Sequence, residues 1–327
     1  MSRVKLLNLK TKNIDRDIDF LINSSNKGRT SNLLNFSTFS ELTGKSKWLF
    51  NSQVLNSFEG GWSATKKFPK KKRELFQLAL IGAALDNCNA SKDGKCLKYR
   101  PNWKDREFDK DTFINSLEDR LLVISKDLEE NPIPEKAIII NKDSRTAINK
   151  ISQKFKLCIT SPPYLNSFDY TDIYRPELFL GKFINGHEEL RALRQKTVRS
   201  HVEIKLPEPL SIEYGDVFNK VYGNILESEN LWDKQIPIMI QSYFEDMQNV
   251  LSSLNEKAKK NGQLWLVVAN SVYAGIEIPV DLILAEIGTR KGWELKRIEV
   301  LRKIQRRKTK HNGNINSVRE SLIVFQK

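Results

Sequence analysis

Leu157-Cys158-Ile159-Thr160-Ser161-Pro162-Pro163-Tyr164 is the stretch from which the rest of the chain is read. Leu157, Cys158 and Ile159 suit a short buried strand. Pro162 and Pro163 have no N–H to give to a ladder, so the strand must end at about Ser161. The tandem proline holds the backbone extended and leaves its carbonyls outside the ladder as rigid acceptors. A serine hydroxyl and a tyrosine ring flank them. Ligands bind at strand ends in open α/β sheets. Ser161 and the Pro162 carbonyl can accept the two protons of an exocyclic amine, and Tyr164 can stack on a planar ring. Such chemistry is mainly positioning, because the amine nitrogen can attack first and lose its proton afterwards.

Thr160-Ser161-Pro162-Pro163-Tyr164 resembles motif IV of the amino-group DNA methyltransferases, which use S-adenosylmethionine. In that family Ser-Pro-Pro-Tyr accompanies mostly the 4-amino group of cytosine, whereas Asp- or Asn-Pro-Pro-Tyr accompanies mostly the 6-amino group of adenine. The resemblance implies catalytic roles for Ser161, Pro162, Pro163 and Tyr164, and a place for Thr160 beside the cofactor. Ala137–Ile140 reads as the preceding strand, and Asp143 behind it is similar to the family's motif III acid, which touches the cofactor's adenine. The bland reading of Asp143 is a helix N-cap before Ala147–Ile151. The aromatic, acidic stretch from Leu165 to Phe179 also has a family counterpart. There Phe168, Tyr170 and Tyr174 are candidates for the walls of the base pocket, or simply for packing a helix.

Several classes of protein are made improbable by composition. The chain has 327 residues, 39% hydrophobic and 29% charged, as an ordinary soluble protein does. No apolar run approaches the ~20 residues of a membrane span, and Met1–Lys5 lacks the apolar core of a secretory signal. Three cysteines and three histidines are too few for a disulfide framework or a metal-based mechanism, so no metal is expected. The cytoplasm is the default compartment. A net charge of +14 points to a polyanionic partner, which the family resemblance implies is DNA. The charge is clustered: Lys66–Arg73 forms one dense run and Arg302–Lys310 another, the latter including Arg306, Arg307 and Lys308.

Residues 1–135 are expected to form a mostly helical N-terminal region. Residues 1 to about 35 read as a short element near Val4–Leu9 followed by a linker. Trp48, Phe50 and Leu55 anchor helices, and Gly60-Gly61 is expected to end that piece. Residues 71–87 and 109–130 carry apolar side chains at helical spacing. Lys98–Trp103 reads as a basic, aromatic loop in which Arg100 and Trp103 can clamp nucleic acid or pack a domain surface. Residues 136–327 are expected to form the methyltransferase catalytic region. Its irregular insert, 181–236, carries Arg191, Arg194, Lys196, Arg199 and His201, of which Arg194, Lys196 and Arg199 are candidate DNA contacts. Tyr243, Met247, Val250, Leu251 and Leu254 share a helical face, Asn261-Gly262 closes that helix, and Leu264–Ser271 is a buried strand. A further helix, the strand Trp293–Ile304 and a last strand, Ser321–Phe325, inserted antiparallel, resemble the end of the class I methyltransferase fold. The expectation is therefore an α/β protein with a partial class I, Rossmann-like sheet and a helical N-terminal region.

The family's glycine-rich loop, Phe-x-Gly-x-Gly after an apolar strand, is not found. Its glycines normally let the backbone approach the cofactor. The resemblance runs from motif III to motif VIII, about residues 137–327. A split enzyme is expected, with a second subunit carrying motifs I and II and completing the cofactor site. A truncated reading frame is the alternative. The leading expectation is a site-specific, cytosine-N4 DNA methyltransferase, or its catalytic subunit, of a restriction–modification or defence system. An adenine-N6 enzyme is the alternative within the class, RNA or a protein amide is a weaker substrate, and a non-catalytic DNA-binding subunit is the alternative outside it.

Overall fold

A computed structural model describes residues 14–93, 96–130, 138–210, 213–306 and 315–327. Two compact units emerge. One is formed by the described residues of Met1–Ile139 with Tyr170–Gly186, the other by Ile140–Asp169 with His187–Lys327.

The first unit is helical. Its main helices are α1 (Ile14–Lys27), α2 (Ser52–Ala64), α3 (Lys70–Asp86) and α4 (Lys110–Glu130). Leu21, Val54, Leu55, Phe58, Phe76, Leu80, Phe113 and Leu117 are buried. Two expectations are corrected here. The linker expected before residue 35 contains α1, whose Ile14, Leu21 and Ser25 face inward. The Val4–Leu9 element lies outside the described residues. Gly60-Gly61 does not end a helix but lies inside α2. A Cβ on Gly60 would come 2.5 Å from the Ser24 carbonyl, and one on Gly61 would meet Ser25 and Leu80, so the pair exists to let α1 and α3 approach α2 closely. A small antiparallel hairpin, β1 (Ala90–Asp93) with β2 (Cys96–Tyr99), takes up part of the expected basic loop.

The second unit is built on a mixed four-stranded sheet of β3 (Phe155–Thr160), β4 (Ala258–Ala269), β5 (Glu294–Gln305) and β6 (Ser317–Gln326), in the order β3-β4-β6-β5. β3 and β4 are parallel, and β6 is antiparallel to both its neighbours, as expected for the last strand. Helices α5 (Ile236–Lys257) and α6 (Val280–Arg290) cover one face. Alternate residues Leu264, Leu266 and Val268 of β4 and Ile323 and Phe325 of β6 pack there with Tyr243, Met247 and Leu251 of α5 and Ile283, Leu284 and Ile287 of α6. The fold is thus α/β, with a helical N-terminal region and a mixed sheet consistent with a methyltransferase fold.

The other side of β3 differs from expectation. Ile138, Ile139 and Ile140 form no strand; their backbone is irregular and their side chains are exposed. Ala137 lies outside the described residues. A three-residue apolar run becomes a strand only if a ladder receives it, and no described strand pairs with the outer edge of β3. On that edge strand Leu157 is 49% and Ile159 65% exposed. A smaller correction concerns Asn261-Gly262. Helix α5 already stops at Lys257, where Ala258 turns extended and pairs with Phe155. Asn261 (φ +62°) then makes a kink inside β4, and a Cβ on Gly262 would meet the carbonyls of Lys259 and Phe155.

Candidate active site

The β3–β4 ladder ends with Thr160 opposite Leu266, immediately before the prolines. Leu165 is fully buried on the far side of the turn. Its carbonyl accepts from the Ser271 hydroxyl and from Tyr273 Oη, the latter at 3.2 Å. Burial holds the Tyr273 phenol far above its ordinary pKa, which keeps it a donor. The turn is therefore fixed at both ends, by a ladder at Thr160 and by a buried side chain and carbonyl at Leu165. Between them Ser161 is exposed, and Pro162, Pro163 and Tyr164 are half-buried.

Ser161 Oγ lies 3.3 Å from Tyr164 Oη, to which it donates, and Tyr164 Oη donates to Glu320 Oε1 at 2.8 Å. Glu320 is buried on β6 and is gripped by Arg302 of β5, Nε to Oε2 at 2.5 Å and Nη2 to Oε1 at 3.2 Å. The Arg302 hydrogen bonds hold the Glu320 carboxyl below the usual glutamate range, and the Tyr164 hydroxyl adds to this. The expected group of Ser161, the prolines and Tyr164 is thus together at a strand end. Sequence reading missed Glu320, Ser271 and Tyr273, and took Arg302 only as part of a basic run suited to phosphate contacts. The available signal was weak: Glu320 stands between Arg319 and Ser321, just before the apolar run Leu322–Phe325, in a strand where alternate side chains are expected to be buried.

The remaining candidates are dispersed. Asp143 caps the short helix Ser144–Ala147, accepting from the Arg145 backbone at 3.0 Å, and both its oxygens are taken by the Arg145 side chain. That guanidinium depresses the Asp143 pKa. This is the N-cap reading, with no strand leading into it. Thr160 is half-buried at the end of β3. Phe168 is buried and belongs to the second unit, whereas Tyr170, 37% exposed, belongs to the first. Arg194 binds the buried Asp169 at 2.6 Å, and Arg199 binds Glu245 at 2.6 Å and Asp246 at 2.7 Å. Lys196 is exposed. Arg306 is half-buried and donates to the Val272 carbonyl at 3.3 Å; burial lowers its pKa. Arg307 and Lys308 lie outside the described residues.

A cavity of about 620 Å³ lies elsewhere in the second unit, lined by Arg145, Gln195, Arg199, Lys205, Asp246 and Glu256 among others. It does not include the Pro-Pro turn. Its two half-buried guanidiniums are already matched to Asp246, so the geometry of the turn, rather than the volume of this cavity, identifies the candidate site. Among the described residues no three His, Cys, Asp or Glu side chains are placed to hold a metal ion, and no helix is long and apolar enough to cross a membrane.

The Type II methyltransferase M.AvaI of Nostoc sp. is 34% identical to this chain over 175 residues. The chain is similar to Type II methyltransferases. That match covers 50% of this chain and 36% of M.AvaI, and M.AvaI of Anabaena variabilis gives the same figures. The Type II methyltransferase M.BsoBI of Geobacillus stearothermophilus is 25% identical over 317 residues, covering 81% of this chain and 62% of that protein. The chain thus spans about a third to three-fifths of the length of these relatives. No family model matches, and no solved structure does.

Proposed function

We propose that this chain carries the base-gripping half of a site-specific DNA methyltransferase. The reaction moves a methyl group from S-adenosylmethionine to the 4-amino group of cytosine, in a restriction–modification or defence system of the cytoplasm. The observation that carries this reading is the exposed Ser161 hydroxyl, tied to Tyr164 at the end of a parallel strand and followed at once by two prolines. The similarity to Type II methyltransferases supports it. In this reading Ser161 Oγ and the Pro162 carbonyl accept the two protons of the base amine. Pro163 fixes the carbonyl direction and the Tyr164 ring stacks on the base. Residues 136–327 form the catalytic region, with the insert 181–236 against DNA. Lys196 and the basic stretch from Arg306 through Lys308 contact phosphates. Arg194 and Arg199, both committed to carboxylates, shape the insert.

The described residues do not fit S-adenosylmethionine. Asp143 is spent on Arg145, and the glycine turn Ala274-Gly275 that follows the strand Ser271–Tyr273 only closes a hairpin onto Ile276–Ile278 and carries no Gly-x-Gly pattern. We infer that the cofactor's cradle comes from polypeptide outside this chain, aligned along the open edge of β3, where Leu157 and Ile159 are exposed. The same lack of a cradle suits a non-catalytic DNA-binding subunit, so the test must separate the two. Co-expression with the product of the neighbouring reading frame, followed by transfer of a radiolabelled methyl group to DNA, does so. Incorporation that disappears with Ser161→Ala, DNA binding being kept, is expected. Full transfer by Ser161→Ala rejects the catalytic reading, and tight cofactor binding by the lone chain rejects the divided site.

A further inference from the structure

The hydrogen bonds behind the turn run in one direction. Glu320 is held ionised by Arg302, and an ionised carboxylate only accepts. Tyr164 must therefore spend its single hydroxyl proton on Glu320, 2.8 Å away. Towards Ser161 the Tyr164 oxygen can then act only as an acceptor, and the Ser161 proton turns inward to it at 3.3 Å. What Ser161 presents to solvent is lone pairs. A serine by itself is ambivalent, donor or acceptor as its partner requires. Here a relay anchored two strands away removes the ambiguity.

We propose that Glu320, with Arg302, is a positioning residue that sets the polarity of Ser161, so that the site accepts an amine-bearing base and turns away one with a carbonyl at the same position. This rests on the reading of the Pro-Pro turn as an amine site. It adds a source of selectivity that the turn alone does not have, because a rotating serine hydroxyl would greet an amine or a carbonyl equally. Two observations support an electrostatic rather than a packing role. Arg302 is 69% exposed and Glu320 is 9% exposed in its side chain, so the pair contributes direction to the hydroxyl chain rather than apolar core. Glu320 also sits between Arg319 and Ser321, both fastened to Asp281, which fixes the β6 backbone from which it projects.

The test uses free nucleosides, because no target sequence is needed. Binding of cytidine and of uridine to the full chain is followed by ligand-observed NMR, with adenosine and inosine as a second amine/carbonyl pair. The wild-type chain is expected to favour the amine member of a pair by roughly tenfold, the worth of about one well-made hydrogen bond against a donor-less mismatch. Glu320→Gln, whose amide can donate to Tyr164 and so reverse the chain, is expected to abolish or invert the preference. Tyr164→Phe is expected to erase it while keeping ring stacking. Equal binding within each pair by the wild type, or an unchanged preference in both variants with native circular dichroism, overturns the proposal. Methyl transfer to DNA is scored separately. Loss of nucleoside preference in Glu320→Gln with no methyl transfer by the assembled wild type would leave the relay standing and remove the enzymatic reading.

Discussion

Asp281 gives the sharpest energetic prediction. It lies in the first turn of α6 with no exposed surface. Its carboxylate accepts from Arg319 Nε at 2.6 Å and Nη2 at 3.0 Å, from Ser321 Oγ at 2.7 Å and from the Leu282 amide at 2.9 Å. It therefore fastens α6 to the strand that carries Glu320. Asp281→Ala strands the Ser321 hydroxyl, which is itself fully buried. A buried group left without its partner costs about 1–3 kcal/mol. Breaking a fully buried ion pair costs about 3–5 kcal/mol, but Arg319 is 35% exposed and can turn to water, which reduces that share. A loss of about 2–4 kcal/mol is expected for the second unit, or a fall in its melting temperature of about 5–15 °C. Urea unfolding followed by tryptophan fluorescence reads this, since Trp265 and Trp293 both report on that unit. A shift below about 0.5 kcal/mol, within the range of an ordinary surface substitution, would refute the reasoning.

Two further outcomes are expected. Gly60→Ala should destabilise the helical unit by about 1–3 kcal/mol, since its methyl group meets the Ser24 and Gly28 backbone rather than a movable side chain; a neutral effect in thermal melts would contradict the close-packing account of the glycine pair. His201 is buried and its pKa is depressed, first by burial and then by Arg194, despite opposing attraction from Asp169 and Glu203. The unfolded chain then takes up a proton near the ordinary value of 6.5 while the folded chain does not. Stability should be full above pH 6.5 and decline as pH falls towards the depressed folded value. Denaturation curves between pH 7.5 and about 5 should show this slope for the wild type and lose it in His201→Gln; an identical slope in both would reject the assignment.

The Pro-Pro turn was legible in sequence because each of its constraints is local. Two prolines end a ladder whatever surrounds them, and an apolar run before them is enough to supply the strand. The last two strands were legible as apolar runs after a helix, and their antiparallel order followed from the resemblance to the end of the class I methyltransferase fold. What escaped depends on partners distant in sequence. Glu320 gains meaning only when Tyr164, more than 150 residues away, is brought beside it, and Gly60-Gly61 reads as a stop until α1 and α3 are seen against it. Ile138–Ile140 failed for the opposite reason. The run has strand composition, but strand formation is decided by a neighbouring edge, and none of the described residues provides one. Arg194 and Arg199 looked like phosphate ligands by charge alone, and their carboxylate partners were invisible at that level.

The central claim is that the turn after β3 grips a base by its amine. It is tested most directly by treating DNA with the assembled enzyme and S-adenosylmethionine, digesting it to nucleosides and weighing them by mass spectrometry. N4-methylcytosine is expected with the wild-type chain and none with Ser161→Ala. Methylation at a ring carbon of the base, or undiminished amine methylation by Ser161→Ala, would contradict the account.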